Sequence, residues 1–335
     1  MSLTIRDIAK MAGVSPATVS KIMNNYSGVS VKTKKKVLDI IQETGYHPTF
    51  FAKSLATKKS NLIGLVYAGQ VNVDFTHPFF NEVVTSFKKI MGKLGYDIIM
   101  FSSETFKQGN GSYLERCHYF SVDGCLIIAG DDIEEATNEL VQSDVPCVAV
   151  DLEIKGPNSS YVITDNEKLS SRVVEHFYVN GIRDVAYIGG NKENVVASLR
   201  EKGFRETMED LRMTVREDWI AFGDYFEESG YLAMRQILNS PQLPQAVFAA
   251  SDLMAFGAMK AILEVGLLVP TDICVIGCDD IEACRYCTPQ LTTMRQDKER
   301  LGKLAAHMLN DLIHGKSDLK PILIDSELIV RHSCT

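Results

Sequence analysis

The chain has 335 residues with 35 Lys or Arg against 43 Asp or Glu, a formal net charge of −8, and eight cysteines. This length exceeds one small domain and is enough to bury two or three cores. No apolar run is long enough to span a membrane, no leader precedes the first helical pattern, and the scattered cysteines form no disulfide framework, so a soluble cytoplasmic protein with reduced thiols is expected.

The first pattern along the chain is helical. Ile5, Ile8, Ala9 and Ala12 recur at i, i+3, i+4 and i+7, and Thr4 with Asp7 has capping-box spacing. Gly13 stops this helix, after which Ser15 as N-cap and Pro16 at the first helical position begin a second. That helix offers Val19 and either Ile22 or Met23 to a small core and leaves Pro16, Ala17, Ser20 and Lys21 more exposed. A third helix follows from Ser30, with Val37, Leu38 and Ile41 on its apolar side and Gly45 as C-cap. Two short helices joined by a glycine-containing turn are the shape that places a helix in a DNA groove. An ordinary three-helix cap has the same pattern, but charge separates the two readings. Residues 1–60 hold ten basic and three acidic residues, whereas the remainder holds 25 basic and 40 acidic. A head of net +7 on a body of net −15 suits phosphate binding by the head alone. Lys32, Lys34, Lys35 and Lys36 fit either this role or a solvated helix face.

From Asn61 the pattern changes to short apolar strands alternating with amphipathic helices. Strands are predicted at 62–67, 96–100, 124–128 and 148–150, with helices beginning near Phe79, Ser112 and Ile133. A second series has strands near 184–188, 246–250 and 273–277, and helices near 166–179, 195–208, 228–238 and 253–265. Continuous apolar strands suit parallel sheets covered on both faces, and two series suit two α/β lobes facing across a cleft at the strands' carboxyl ends. Ile322-Leu323-Ile324 and Leu328-Ile329-Val330 near the end also read as strands, and no long heptad tail is evident. The chain has no nucleophile elbow, Walker loop or dinucleotide fingerprint, so neither catalysis nor a cofactor is expected. Cys274, Cys278, Cys284 and Cys287 lack the paired spacing of a metal knuckle and read as ordinary thiols.

Across essentially its full length the chain resembles the LacI/GalR family of bacterial transcription regulators. The likeness rests on Thr4-Ile5-Arg6-Asp7-Ile8-Ala9, Ala12-Gly13-Val14-Ser15, Ala17-Thr18-Val19-Ser20 and Gly45-Tyr46-His47-Pro48 in the head. In the body it rests on Ile63-Gly64-Leu65, Pro78-Phe79-Phe80, Phe248-Ala249-Ala250-Ser251-Asp252, Ile276-Gly277-Cys278-Asp279-Asp280 and the run from Pro289 to Gln296. The resemblance implies a helix-turn-helix DNA-binding domain at 1–47, a hinge at 48–60, and a two-lobed, periplasmic-binding-protein-like body with parallel sheets at 61–335, which binds effector and dimerises. It implies that Pro16, Ala17 and Lys21 face bases, while Thr18, Ser20 and Asn24 contact backbone or adjacent groups. Lys21 is then a guanine donor or a phosphate lysine, and lacks arginine's planar fork. In the hinge Leu55 takes the place of a leucine that wedges into a minor-groove base step, with Lys53 beside it. Thr49 and Lys53 stand where relatives carry Asn and Arg. Phe50 and Phe51 have a packing role as an alternative, preferred for Phe51.

The same resemblance implies an effector cleft in which Arg200 donates to ligand oxygens and Asp279 accepts from hydroxyls or amines. Tyr225 matches an aromatic platform, Phe79 a further apolar surface, and Asp151 and Asp165 acidic positions at the opening. The segment from Gly69 to His77 is longer than usual before Pro78. The expectation is therefore a dimeric repressor that binds palindromic double-stranded DNA and is controlled by a sugar or related small polar metabolite. The runner-up is a small-molecule-binding protein without operator recognition. The resemblance leaves open the operator, inducer or corepressor behaviour, and whether a phosphoprotein co-regulator is a further partner.

Overall fold

The computed structural model describes residues 3–24, 26–47, 59–67, 76–101, 112–128, 135–192 and 194–334. The chain divides into two units, residues 1–60 and 61–335, which are described separately.

The first unit is helical. Helix α1 (Ile5–Ala12) is begun by a complete capping box: the Thr4 hydroxyl accepts from the Asp7 amide and the Asp7 carboxylate accepts from the Thr4 amide at 2.9 Å. Gly13 ends it in the left-handed region at φ 68°. In α2 (Pro16–Met23) the Ser15 hydroxyl accepts the Thr18 amide at 3.1 Å, and in α3 (Val31–Thr44) Ser30 does the same for Thr33 at 3.2 Å. Ile8, Ala9, Ala12, Val19, Ile22, Val37 and Tyr46 form the core. Burying a side chain such as Ile8 or Val37 completely contributes about 1.5–3 kcal/mol relative to leaving it exposed. Leu38, expected on the apolar side of α3, is instead 43 % exposed. Ile40 and Ile41 lie three and four residues after Val37, and they complete its face.

The second unit contains two six-stranded sheets. The first is built from β1 (Leu62–Tyr67), β2 (Asp97–Met100), β3 (Gly124–Ile128), β4 (Cys147–Val150), β5 (Ser159–Thr164) and β11 (Ile322–Ile324), in the order β11-β5-β4-β3-β1-β2. The second uses β6 (Val185–Gly189), β7 (Ile220–Phe222), β8 (Ala246–Ala249), β9 (Cys274–Asp279), β10 (Thr292–Arg295) and β12 (Glu327–Ile329), in the order β12-β10-β9-β8-β6-β7. Pairing is parallel except between β10 and β12. Strands β3, β4, β6 and β8 are buried at every residue, as parallel strands covered on both faces must be.

Helices α4 (Pro78–Lys93), α5 (Tyr113–Phe120), α6 (Glu135–Val141) and α11 (Lys298–Ile313) belong to the first lobe. Helices α7 (Asn166–Val179), α8 (Val195–Asp210), α9 (Glu227–Leu238) and α10 (Asp252–Glu264) belong to the second. Gly302 lets α11 approach α4, because a Cβ there would strike the Val83 carbonyl and the Phe87 amide. The chain passes between lobes three times, from β5 to α7, from β10 to α11 and from β11 to β12. These crossings run through Asp165-Asn166, Gln296-Asp297 and Asp325-Ser326. Strands β5, β7 and β10 and helix α11 are additions to the elements read from periodicity. Thr49, Phe50, Phe51, Lys53 and Leu55 lie outside the described residues, as does the 69–77 segment up to Phe75.

Candidate functional site

Two groups of residues concern function, one in each unit. On α2, Pro16, Ala17 and Lys21 are exposed, and with half-buried Ser20 they form one stripe at helical spacing. The polar side chains around them are partly committed. The Thr18 hydroxyl shares a 2.9 Å hydrogen bond with Ser15, and the Asn24 amide donates to the Ser20 carbonyl at 3.0 Å. Lys21 is the one cation on this stripe.

In the second unit, residues at the carboxyl ends of the strands converge. Arg200, from α8, is 2 % exposed; its Nε donates to Asn166 Oδ1 at 2.8 Å and its Nη1 to the Ala250 carbonyl at 2.6 Å. Asp279 closes β9 with φ 127°, and its Oδ1 accepts from Gln296 Nε2 at 2.7 Å. Lys298, itself buried, fixes that turn by donating to the Asp279 carbonyl at 2.7 Å and the Asp280 carbonyl at 2.9 Å. Tyr225, at φ 72°, lays its ring against Gly190, where no Cβ would fit.

The first lobe contributes Asp151 and His77. Asp151 follows β4 in the left-handed region at φ 60°, and its buried Oδ1 has no hydrogen-bond partner. Burial pushes its carboxyl up to about 6, against the pull of Arg200 and with a smaller push from Asp279. His77 is 4 % exposed, and its ring is directed at the Tyr225 backbone, a contact that favours the protonated form. Burial pulls its pKa below the usual 6.5 while the Asp279 charge opposes, so the ring is neutral at neutral pH. Its edge meets Phe226 of the second lobe at 5.5 Å and 83°, and it tilts against Phe80 at 5.6 Å.

Of the residues named from sequence, Asp151, Arg200, Tyr225 and Asp279 are brought to one place. Phe79 packs in the first lobe's core at 2 % exposure, with its edge on Phe80, which is the ring beside His77. Asp165 caps α7 by accepting the Lys168 amide at 3.1 Å, and its neighbour Asn166 makes the contact to Arg200. His77, Asn166, Phe226, Gln296 and Lys298 are additions from the structure. The only signals for them were the position of His77 before Pro78 and the end of the motif at Gln296.

Among the described residues no group of three His, Cys, Asp or Glu is disposed to hold a metal ion, and no helix is long and apolar enough to cross a membrane. The thiols of Cys278 and Cys284 are buried, and those of Cys274 and Cys287 are half-buried.

A basic helix-turn-helix unit followed in the chain by two parallel-sheet lobes with a polar cleft defines a class: a DNA-binding regulator that answers to a small molecule. Comparison with known proteins gives the family. Residues 4–49 match the model described as bacterial regulatory proteins, lacI family, and residues 174–334 match a periplasmic binding protein-like domain. Over 333 residues the chain is 35 % identical to the HTH-type transcriptional repressor PurR of Proteus mirabilis (strain HI4320), covering 98 % of this chain and 96 % of that protein. The repressor of the same name from Histophilus somni (strain 129Pt) is 34 % identical, with 98 % of each covered. Among solved structures, the lac repressor dimer bound to operator and the anti-inducer ONPF is 30 % identical with a TM-score of 0.85, covering 100 % of this chain and 99 % of that one. A complex of the transcriptional regulator CelR with cellobiose is 28 % identical with a TM-score of 0.74, covering 99 % of each. The chain belongs to the LacI family of bacterial regulatory proteins. It is a sequence-specific DNA-binding transcriptional repressor regulated by a small-molecule effector, and not an enzyme.

Proposed function

We propose that this repressor is controlled by a sugar or related small polar metabolite held between Asp151 and His77 on one lobe and Arg200, Tyr225 and Asp279 on the other. The observation that carries the reading is the meeting of buried Asp151, whose Oδ1 has no hydrogen-bond partner, and buried His77 with an arginine and a second carboxylate in one cleft. A hydroxyl both gives and receives hydrogen bonds, so a ligand rich in hydroxyls satisfies such a mixed set, and the Tyr225 ring supplies a flat apolar wall. The cellobiose and ONPF complexes among similar structures support this chemistry. In this reading Asp165 contributes by capping the helix that carries Asn166, and Phe79 by backing Phe80.

The working form is a homodimer, in keeping with the dimeric lac repressor it resembles, and it acts on DNA in the bacterial cytoplasm. Two-fold symmetry calls for a palindromic operator. Residues 1–47 read it through Pro16, Ala17 and Lys21, supported by Thr18, Ser20 and Asn24. The hinge at 48–60 adds Lys53 and the Leu55 wedge in the minor groove, and residues 61–335 bind effector and dimerise. Effector-driven movement of the lobes changes the spacing of the two hinge starts, which couples the two sites. Calorimetric titration of the full chain with a panel of mono- and disaccharides tests the cleft. Binding by wild type that disappears in Arg200→Ala, with DNA affinity retained, is expected; an unchanged titration curve in the variant contradicts the assignment.

A further inference from the structure

We infer that the effector is a non-anionic molecule rich in O–H or N–H donors, and that Asp151 with His77 forms the part of the cleft that rejects phosphorylated or carboxylated counterparts. The inference rests on this cleft being the effector site.

It follows from the balance of charge among the described residues. Arg200 is the one cation whose charge reaches Asp151, and two of its nitrogens are already committed, Nε to Asn166 and Nη1 to the Ala250 carbonyl. The buried ammonium of Lys298 is turned to the carbonyls of Asp279 and Asp280. Arg295 and Arg331 are spent on Asp280, Arg295 at 2.7 Å and Arg331 at 2.5 Å. Against this stand two carboxylates, Asp151 and Asp279, and a histidine that burial keeps neutral.

A phosphate or carboxylate entering the cleft leaves water, meets two like charges, and finds one partly occupied guanidinium. Buried anions are held where several donors converge on them, and among the described residues no such convergence occurs. A donor-bearing ligand has the opposite experience. Asp151 Oδ1 is an acceptor with no donor, and an O–H or N–H directed at it removes the penalty of leaving a buried carboxylate oxygen unpaired. With one ring nitrogen directed at the Tyr225 backbone, the neutral His77 ring keeps the other as an acceptor for an O–H or N–H donor, and the Phe226 and Phe80 rings hold its plane.

The test is calorimetry and thermal denaturation of the full chain with matched sets. These are glucose, glucosamine, glucose 6-phosphate and glucuronate; ribose and ribose 5-phosphate; cellobiose; and uracil and hypoxanthine as uncharged donor-bearing rings that are not sugars. The expected result is binding by a non-anionic member at least about tenfold tighter than its phosphate or acid, with Asp151→Asn narrowing that ratio because the repelling charge is gone. Asn suits the left-handed backbone at this position, and the wild-type ratio alone already tests the claim. Tighter binding of a phosphate ester or uronic acid than of its parent overturns the inference. So does a ratio unmoved by Asp151→Asn, or the absence of binding by every member. Binding by the uncharged rings alone removes the sugar reading, and the same ratio is then read on uracil against its carboxylate, orotate, with tighter binding of orotate overturning the inference.

Discussion

Replacing Asp151 by Asn should stabilise the ligand-free protein at neutral pH and change the shape of its stability profile. The carboxyl, ordinarily near 3.8, is pushed up to about 6 by burial. A shift of roughly two units at about 1.4 kcal/mol each corresponds to about 3 kcal/mol between its protonation states. The folded protein holds this proton more tightly than the unfolded chain does. The stabilising contribution of the protonated group is therefore fully present below about pH 4 and is lost as the pH rises through about 6. Above that, the wild type carries a buried charge that Asn does not. Asp252, pushed up to about 7 mainly by burial, titrates with the same sign, and His77 with the opposite sign. The difference between the two proteins, rather than either profile alone, isolates Asp151. Urea denaturation at about pH 4, 5, 6 and 7.5 should show the variant gaining about 2–3 kcal/mol on the wild type across the series. A difference that stays constant with pH refutes the reasoning.

Three further outcomes follow from the same geometry. Arg200→Ala leaves Asn166 Oδ1 and the Ala250 carbonyl without their buried donor and opens a cavity, so the body should lose about 2–5 kcal/mol in denaturant unfolding; a loss below about 1 kcal/mol contradicts the hydrogen-bond pattern. Lys21→Ala should cost about 1–3 kcal/mol on operator DNA and relax preference at one base pair. Equal losses on operator and random duplexes would reduce Lys21 to a phosphate contact. Gly190→Ala places a methyl group where the Tyr225 ring lies. It should weaken effector binding at least about tenfold while leaving DNA binding intact, and an unchanged effector affinity shows that Tyr225 is not a wall of the site.

Much of the fold was legible because the signals were local. Thr4 with Asp7, Ser15 with Pro16 and the two C-cap glycines mark the head helices by chemistry within four residues. The 166–179 helix begins and ends where its pattern does. Local signals failed at Leu38, where one position of helical phase separates core from solvent. They also failed at β5, whose Ser-Ser-Tyr start obscures an inner strand of the first sheet. Helix α11 begins Lys-Glu-Arg, and its apolar face is defined by α4, more than 200 residues away. In the cleft, Arg200 and Asp279 came from family motifs, but a sequence does not show what encloses a loop histidine. His77 is buried because Phe226 reaches it from the other lobe, and Lys298 matters because its ammonium lies under Asp279. Both facts belong to tertiary structure.

The most direct test of the account is selection of bound duplexes from a random DNA library by the full-length protein, carried out at two salt concentrations. Enrichment of one palindrome at both is predicted, because base contacts persist when the phosphate contribution is screened. Recovery of unrelated sequences that vanish at the higher salt would contradict it, leaving only phosphate binding by a basic head.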